Sequence, residues 1–196
     1  MNQPSRLILA SSSPQRKTLL QGLGLDFEVV PSAFNESDHV EHDPAKRAMA
    51  LAELKAADVA AKNPSCWVIG CDTLVVSADG TLLEKPLDEA EARSMLQAHS
   101  GSTSLVHSGL CVIAPTGERI IDISTSKVQF KELSEQDMDW WLSDVARWKN
   151  SSGAFKIDGP GQLMIERIEG DWTSIVGLPV FLLGKIMRQM RAPFLS

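Results

Sequence analysis

The stretch from Leu7 to Leu20 constrains this chain more than any other. Leu7 to Ala10 is a short apolar run, Ser11-Ser12-Ser13 breaks it, and Pro14 follows directly. Proline has a fixed φ and no N–H, so it suits the first turn of a helix, with Ser13 before it as the N-cap. A strand that turns at once into a capped helix is a building unit of α/β domains. It also leaves first-turn N–H groups at the positive helix end, where an anion can sit. Arg16 and Lys17 lie in that turn, where cations are unfavourable unless an anion or a salt bridge answers them. A well-capped surface helix and a phosphate-binding turn are both open on this pattern.

The same alternation continues. Phe27 to Val30 reads as a second strand, and Ser32 to Asp43 as an acidic loop carrying Glu36, Asp38, His39, Glu41 and His42. Asp43-Pro44 opens a long helix whose Ala45, Ala48, Met49, Ala52, Ala56 and Val59 recur on one face. Lys55 lies beside that stripe, so its stem can pack while the ammonium reaches a neighbouring cleft. Trp67 to Gly70 reads as a buried strand, followed by Cys71-Asp72-Thr73 and a hairpin from Leu74 to Leu83 around Asp79-Gly80. Asp88 and Glu91 form a capping box for a helix ending at Ser100-Gly101. Leu105 to Ala114 pairs with Arg119 to Phe130, Ser134 caps a helix through Trp140-Trp141, and a strand covers Leu163 to Ile168. A final helix carries Phe181, Leu182, Leu183, Ile186, Met187 and Met190 on its apolar side.

At 196 residues the chain suits one domain or two closely apposed lobes, and it can bury a sizeable core. Its 25 acidic against 19 basic residues give a net charge of −6, so no global field draws it to nucleic acid or to an anionic membrane. An anionic ligand must then be held by a few local cations or a metal. No apolar run approaches the ~20 residues a membrane helix needs. Leu7 to Ala10 is too short for a signal-peptide core. Cys66, Cys71 and Cys111 are odd in number, lack CxxC spacing and sit in apolar surroundings, as buried thiols of a reducing compartment do. The expectation is a cytoplasmic protein.

Among candidate chemical groups, Asp72 stands at the end of an apolar run, where it can serve as general base or metal ligand, or merely cap the hairpin. Glu36 and Asp38 could complete a hard-cation site with it, since magnesium takes a carboxylate or two plus substrate phosphates. Lys85, in Glu84-Lys85-Pro86, could return toward Asp72 or stay solvated. His39-x-x-His42 lacks a third strong ligand at helical spacing, which favours a solvated loop over zinc. No G-x-S-x-G elbow or Walker sequence is present.

From LILASSSPQRKTLL at Leu7 to Leu20 the chain resembles the Maf family of nucleoside triphosphate pyrophosphatases. The resemblance continues in order through LAELKA (Leu51 to Ala56), IGCDTLVV (Ile69 to Val76), LLEKP (Leu82 to Pro86) and the SGST…HSG stretch (Ser100 to Gly109). It closes with SGAFKIDG (Ser152 to Gly159) and IEGDWTSIVGLP (Ile168 to Pro179). It implies one domain over residues 1–196, with two lobes around a central cleft. The implied fold is a mixed sheet flanked by helices, similar to that of inosine triphosphate pyrophosphatase. It also implies a homodimer, a divalent metal such as Mg2+ or Mn2+, and water attack on the α-phosphorus that releases pyrophosphate and a nucleoside monophosphate. By the same resemblance Asp72 matches the general base. Ser11, Arg16, Lys55 and Lys85 match phosphate-facing residues, and Glu36 an acidic residue at the metal with Asp72.

Gln15, Thr73 and Asp158 stand where the family sorts its bases, and they match neither the dTTP/UTP branch nor the 7-methyl-GTP branch in full. Asp158 could accept from the N–H donors of a guanine edge. Phe155-Lys156 also resembles the methylated-purine branch, while Thr73 matches the pyrimidine one. The expectation leans to 7-methyl-GTP. The alternatives are dTTP or UTP, or a nucleotide-binding regulator of cell division without turnover.

Overall fold

A computed structural model describes residues 6–36 and 40–194. The elements are β1 (Arg6–Leu9), α1 (Pro14–Gln21), β2 (Glu28–Val29), α2 (Pro44–Lys62), β3 (Cys66–Val76), β4 (Leu82–Leu83), α3 (Glu89–His99), β5 (Thr103–Ile113) and β6 (Arg119–Phe130). After them come α4 (Glu135–Leu142), α5 (Val145–Trp148), two 3-10 turns at Ser152–Ala154 and Gly159–Met164, β7 (Ile165–Glu169), α6 (Trp172–Val176) and α7 (Val180–Gln189). The strands form one open seven-stranded sheet in the order β2-β1-β3-β5-β6-β7, with β4 paired to β3. Strand β1 runs parallel to both β2 and β3, whereas β4 and β7 pair antiparallel with β3 and β6. This is the α/β class, with a mixed sheet, that the sequence implies.

The chain divides into two compact units. The first comprises residues 1–72, 108–124 and 177–196, and the second residues 73–107 and 125–176. In the first unit β1 shows the period of two that a strand buried on both faces requires. Leu7 and Leu9 join a core with Leu20, Ile69, Leu110 and α7 residues Leu183, Ile186 and Met187. Ile8 and Ala10 face the other way, onto Ala52, Ala56 and Val59 of α2. Helix α2 lies close against the sheet because two strand positions have no side chain. A Cβ on Gly70 would fall 2.2 Å from the Ala52 carbonyl oxygen, and one on Gly109 2.2 Å from that of Ala48.

The second unit is built on Leu96, Val106, Val128, Phe130, Met138, Trp141 and Trp148. His99 is fully buried here and stacks on Phe130 with ring centroids 4.3 Å apart. Its Nε2–H donates to the Gly153 carbonyl at 3.0 Å, so its Nδ1 accepts from the Ser104 hydroxyl at 2.7 Å. Burial pushes its pKa down to about 4. The tandem tryptophans divide as a helix demands: Trp141 is in the core and Trp140 is exposed, with Arg147 over its ring.

Several expectations need correcting. Asp72 does not end a strand, because β3 runs unbroken from Cys66 to Val76 and places Asp72 in its interior. The β-rich sequence on both sides of Cys71-Asp72-Thr73 outweighs the polar pair. Residues 159–164 form a 3-10 turn with Pro160 in its first turn, so the strand expected from Leu163 begins only at Ile165. Glu91 takes the Leu87 N–H, while Asp88 caps α3 through the Glu91 N–H. Phe181 is 74% exposed, although its helix neighbours Leu183, Ile186 and Met187 are buried. The three cysteines are free and buried, and burial drives the Cys111 thiol up to about 12. Among the described residues no helix is long and apolar enough to cross a membrane.

Candidate active site

The site in the first unit starts at Asp72. Helix α2 approaches Gly70 of β3 closely at Ala52 and Ala56, and Lys55, between those two residues on the helix, reaches Asp72. Lys55 Nζ lies 2.5 Å from Asp72 Oδ1 and 2.8 Å from Glu36 Oε1. The Lys55 and Asp72 side chains are 12% and 8% exposed, whereas Glu36 is half exposed. One ammonium thus gathers two carboxylates, one buried and one at the surface. Asp72 Oδ2 is buried and has no hydrogen-bond partner among the described residues. An acceptor oxygen in that state is costly to leave unmade, and it is the place where a water or a cation would be welcome.

The strand–helix turn supplies the second cluster. Ser13 caps α1 by accepting the Arg16 N–H, and its own hydroxyl donates to Gln15 Oε1 at 3.3 Å. Ser11 is buried and accepts from the Ser13 N–H at 3.2 Å and from Arg16 NH1 at 3.3 Å. Arg16 Nε donates to the Gly177 carbonyl at 2.8 Å. The same carbonyl takes the Cys71 thiol at 3.1 Å, and Cys71 is the residue before Asp72. Arg16 is therefore held through a main-chain oxygen that also touches the strand carrying Asp72. Lys17 is exposed.

The structure brings Ser11 to Arg16, and Lys55 to Glu36 and Asp72, all within the first unit. Lys85, Thr73 and Asp158 belong to the second. Lys85 is exposed after β4, beside Glu84, whose carbonyl accepts the Gly153 N–H. Thr73 lies inside β3, and Asp158 is exposed at the start of a 3-10 turn, where its side chain caps nothing. Asp38 and His39 lie outside the described residues, and His42 is exposed. No group of three or more His, Cys, Asp or Glu is placed to hold a metal among the described residues. The pair Glu36 and Asp72, with an orphaned oxygen on Asp72, does fit a magnesium-type ion that takes its other ligands from phosphates and water.

Two participants escaped the sequence reading. Gly177 acts through a carbonyl, which no residue type announces. Asp58, one turn beyond Lys55, accepts from the Ser32 hydroxyl at 2.9 Å and the Ala33 N–H at 2.7 Å. Only its i,i+3 spacing from Lys55 could have hinted at it. The Lys62 ammonium, then the Ala33 and Ser32 donors, hold the Asp58 carboxyl below the usual carboxylate range.

The profile of the Maf-like protein family matches residues 6–190, nearly the whole chain. The chain belongs to the Maf-like family. A relative from Deinococcus radiodurans, named dTTP/UTP pyrophosphatase, is 44% identical over 183 residues, covering 93% of this chain and 92% of its own. One from Pyrococcus furiosus with the same name is 40% identical over 183 residues, covering 93% and 94%. A solved nucleoside-triphosphatase / dITP/XTP pyrophosphatase from Mycobacterium abscessus overlays 65% of this chain and 75% of its own, at 14% identity and a TM-score of 0.43. That overlay is too partial to bear on the site. For this Maf-like chain the expectation of a nucleoside triphosphate pyrophosphatase stands. The lean to a methylated purine is not supported by these relatives. The Phe155-Lys156 pair behind it also has other work. Phe155 stacks on Trp141 at 5.6 Å and meets Phe130 edge-on, while the Lys156 ammonium donates to the Ala146 carbonyl.

Proposed function

We propose that this chain hydrolyses the α–β phosphoanhydride of a pyrimidine nucleoside triphosphate, dTTP or UTP, to the monophosphate and pyrophosphate. The observation that carries the reading is Asp72. One of its oxygens is fixed by Lys55, and the other is buried with no partner among the described residues. A general base needs such an oxygen, held in place and within reach of a water. The water passes its proton to Asp72 Oδ2 as its oxygen bonds to the α-phosphorus. The bond from that phosphorus to the bridging oxygen breaks, and pyrophosphate leaves with the electron pair.

Substrate and leaving group carry several negative charges on a protein of net charge −6. Arg16, with Ser11 beside it, and Lys55 supply local positive charge and donors in the first unit. Lys85 is assigned the same work by the family resemblance. Glu36 and Asp72 are the residues that would hold a divalent metal, Mg2+ or Mn2+. Bound there, the ion would neutralise phosphate charge. Gln15, Thr73 and Asp158 are assigned to the base. The choice of thymine and uracil is supported by the names of the Deinococcus and Pyrococcus relatives.

The test is a panel of canonical and methylated nucleoside triphosphates with Mg2+ or Mn2+, with products identified by mass spectrometry. Pyrophosphate with dTMP or UMP is the expected result. Orthophosphate alone would refute the reaction, and preferred cleavage of 7-methyl-GTP would refute the base choice. Tight nucleotide binding without turnover would point to a regulator instead.

A further inference from the structure

Glu36 is half exposed and pairs with the Lys55 ammonium at 2.8 Å. The loop before it is held elsewhere. Val30 N–H bonds to the Leu9 carbonyl at 3.1 Å, which ties the start of the segment to β1. Asp58 Oδ2 then takes both the Ser32 hydroxyl and the Ala33 N–H. The Ser32 oxygen in turn accepts the Phe34 N–H at 3.0 Å, so three consecutive residues are fixed through one carboxylate oxygen. The other oxygen, Oδ1, is 2.7 Å from the Lys62 ammonium. Asp58 and Lys55 are three residues apart on α2 and so are neighbours on its surface. Helix α2 therefore grips the segment twice, at Ser32–Ala33 through Asp58 and at Glu36 through Lys55.

We infer that Asp58 is a positioning residue for Glu36: by clamping Ser32 and Ala33 it sets where the Glu36 carboxylate stands relative to Lys55 and Asp72. This rests on the pyrophosphatase reading, in which Glu36 works beside Asp72. Asp58 bonds to Ser32, Ala33 and Lys62, so its effect on Glu36 passes through the loop. The acceptor that matters is Oδ2, which an asparagine side-chain oxygen can replace, whereas alanine cannot.

The test combines pyrophosphate-release kinetics on dTTP with backbone hydrogen exchange, in variants whose folding is checked by thermal unfolding. Asp58→Ala and Glu36→Ala are each expected to lower kcat/KM about tenfold, and the double variant to be no worse than Glu36→Ala alone. Asp58→Asn should stay within about threefold of the parent, and Lys62→Ala within about twofold. Amides of Ala33 and Phe34 should exchange faster in Asp58→Ala than in Lys62→Ala. Parent-level activity in Asp58→Ala, or a loss that multiplies with that of Glu36→Ala, would overturn the inference. If the parent protein releases no pyrophosphate from any triphosphate, the functional reading fails by itself. The exchange data then decide alone: faster exchange in Asp58→Ala upholds the clamp, and unchanged exchange removes it.

Discussion

Arg16 Nε donates to the carbonyl of Gly177, 161 positions further along the chain, at 2.8 Å. A guanidinium can make that bond and still present its other N–H groups, because its donors form a rigid fork. A lysine keeps the charge but has one terminal nitrogen for both tasks. Arg16→Lys should therefore lower kcat/KM for dTTP about tenfold, read by pyrophosphate release, with little change in unfolding midpoint. Full activity in this variant would mean that the anchored geometry is unimportant.

Asp72→Asn keeps the shape of the side chain and removes its basicity. If Asp72 is the base, kcat should fall by ~10²–10⁴, the usual worth of a positioned base. Retention of more than a tenth of the activity would assign the proton transfer elsewhere.

Removing Lys55 has a different signature. Lys55→Ala leaves the buried Asp72 carboxylate without its counter-charge, and breaking a buried pair on one side costs about 3–5 kcal/mol. The partial exposure of Lys55 places the expected loss near the lower figure, about 3 kcal/mol by urea unfolding. Lys55→Ala with Asp72→Asn should regain part of that loss, since the stranded charge is gone. Equal stability of the single and double variants would show that the pair is not electrostatically coupled.

His99 gives the protein a pH dependence that does not involve catalysis. Its folded pKa of about 4 lies below the ordinary 6.5. Above pH 6.5 the imidazole is neutral in both states and adds no slope. Between 6.5 and 4 the unfolded chain takes up a proton that the folded one refuses. Stability therefore falls as pH drops through that window, by about 3 kcal/mol at most. His99→Gln cannot titrate and should flatten that part of the curve. Identical pH profiles for the two proteins would contradict the burial argument.

Gly70→Ala should be poorly tolerated. Its Cβ would meet the Ala52 carbonyl oxygen at 2.2 Å, so helix α2 must move. Overpacking of this kind costs ~1–3 kcal/mol. Since α2 also carries Lys55, kcat/KM should drop along with the melting temperature.

Much of the fold was legible because the local signals agree with one another. Ser13-Pro14, Asp43-Pro44 and Ser134 each mark a helix start with a cap that the structure forms. The apolar runs at Leu7 to Ala10 and Trp67 to Gly70 and the α2 stripe likewise point to buried positions. Asp72 and Lys55 stand out in the sequence because each is a charged residue beside an apolar run, and the structure pairs them. What stayed hidden depends on contacts distant in sequence. The continuity of β3 through Asp72 accompanies its pairing with β1 at Cys66 to Ile69 and with β4 at Val75 and Val76. The 3-10 turn at Gly159–Met164 follows from Pro160 and from Gly161 lying under the Lys156 carbonyl. Gly70 and Gly109 look like ordinary strand glycines until α2 is seen above them. The clamp at Asp58 acts on main-chain groups, which carry no letter in the sequence.

The three sealed sulfur atoms turn this protein into its own reporter of opening. Cys66, Cys71 and Cys111 sit in three different strand positions around β3 and β5, all of them inside the first unit. A thiol-specific reagent should leave the native chain unmodified and add three mass increments once that unit comes apart. Sulfhydryl labelling followed by intact-mass measurement thus yields the opening rate of the half that houses Asp72, without any substrate.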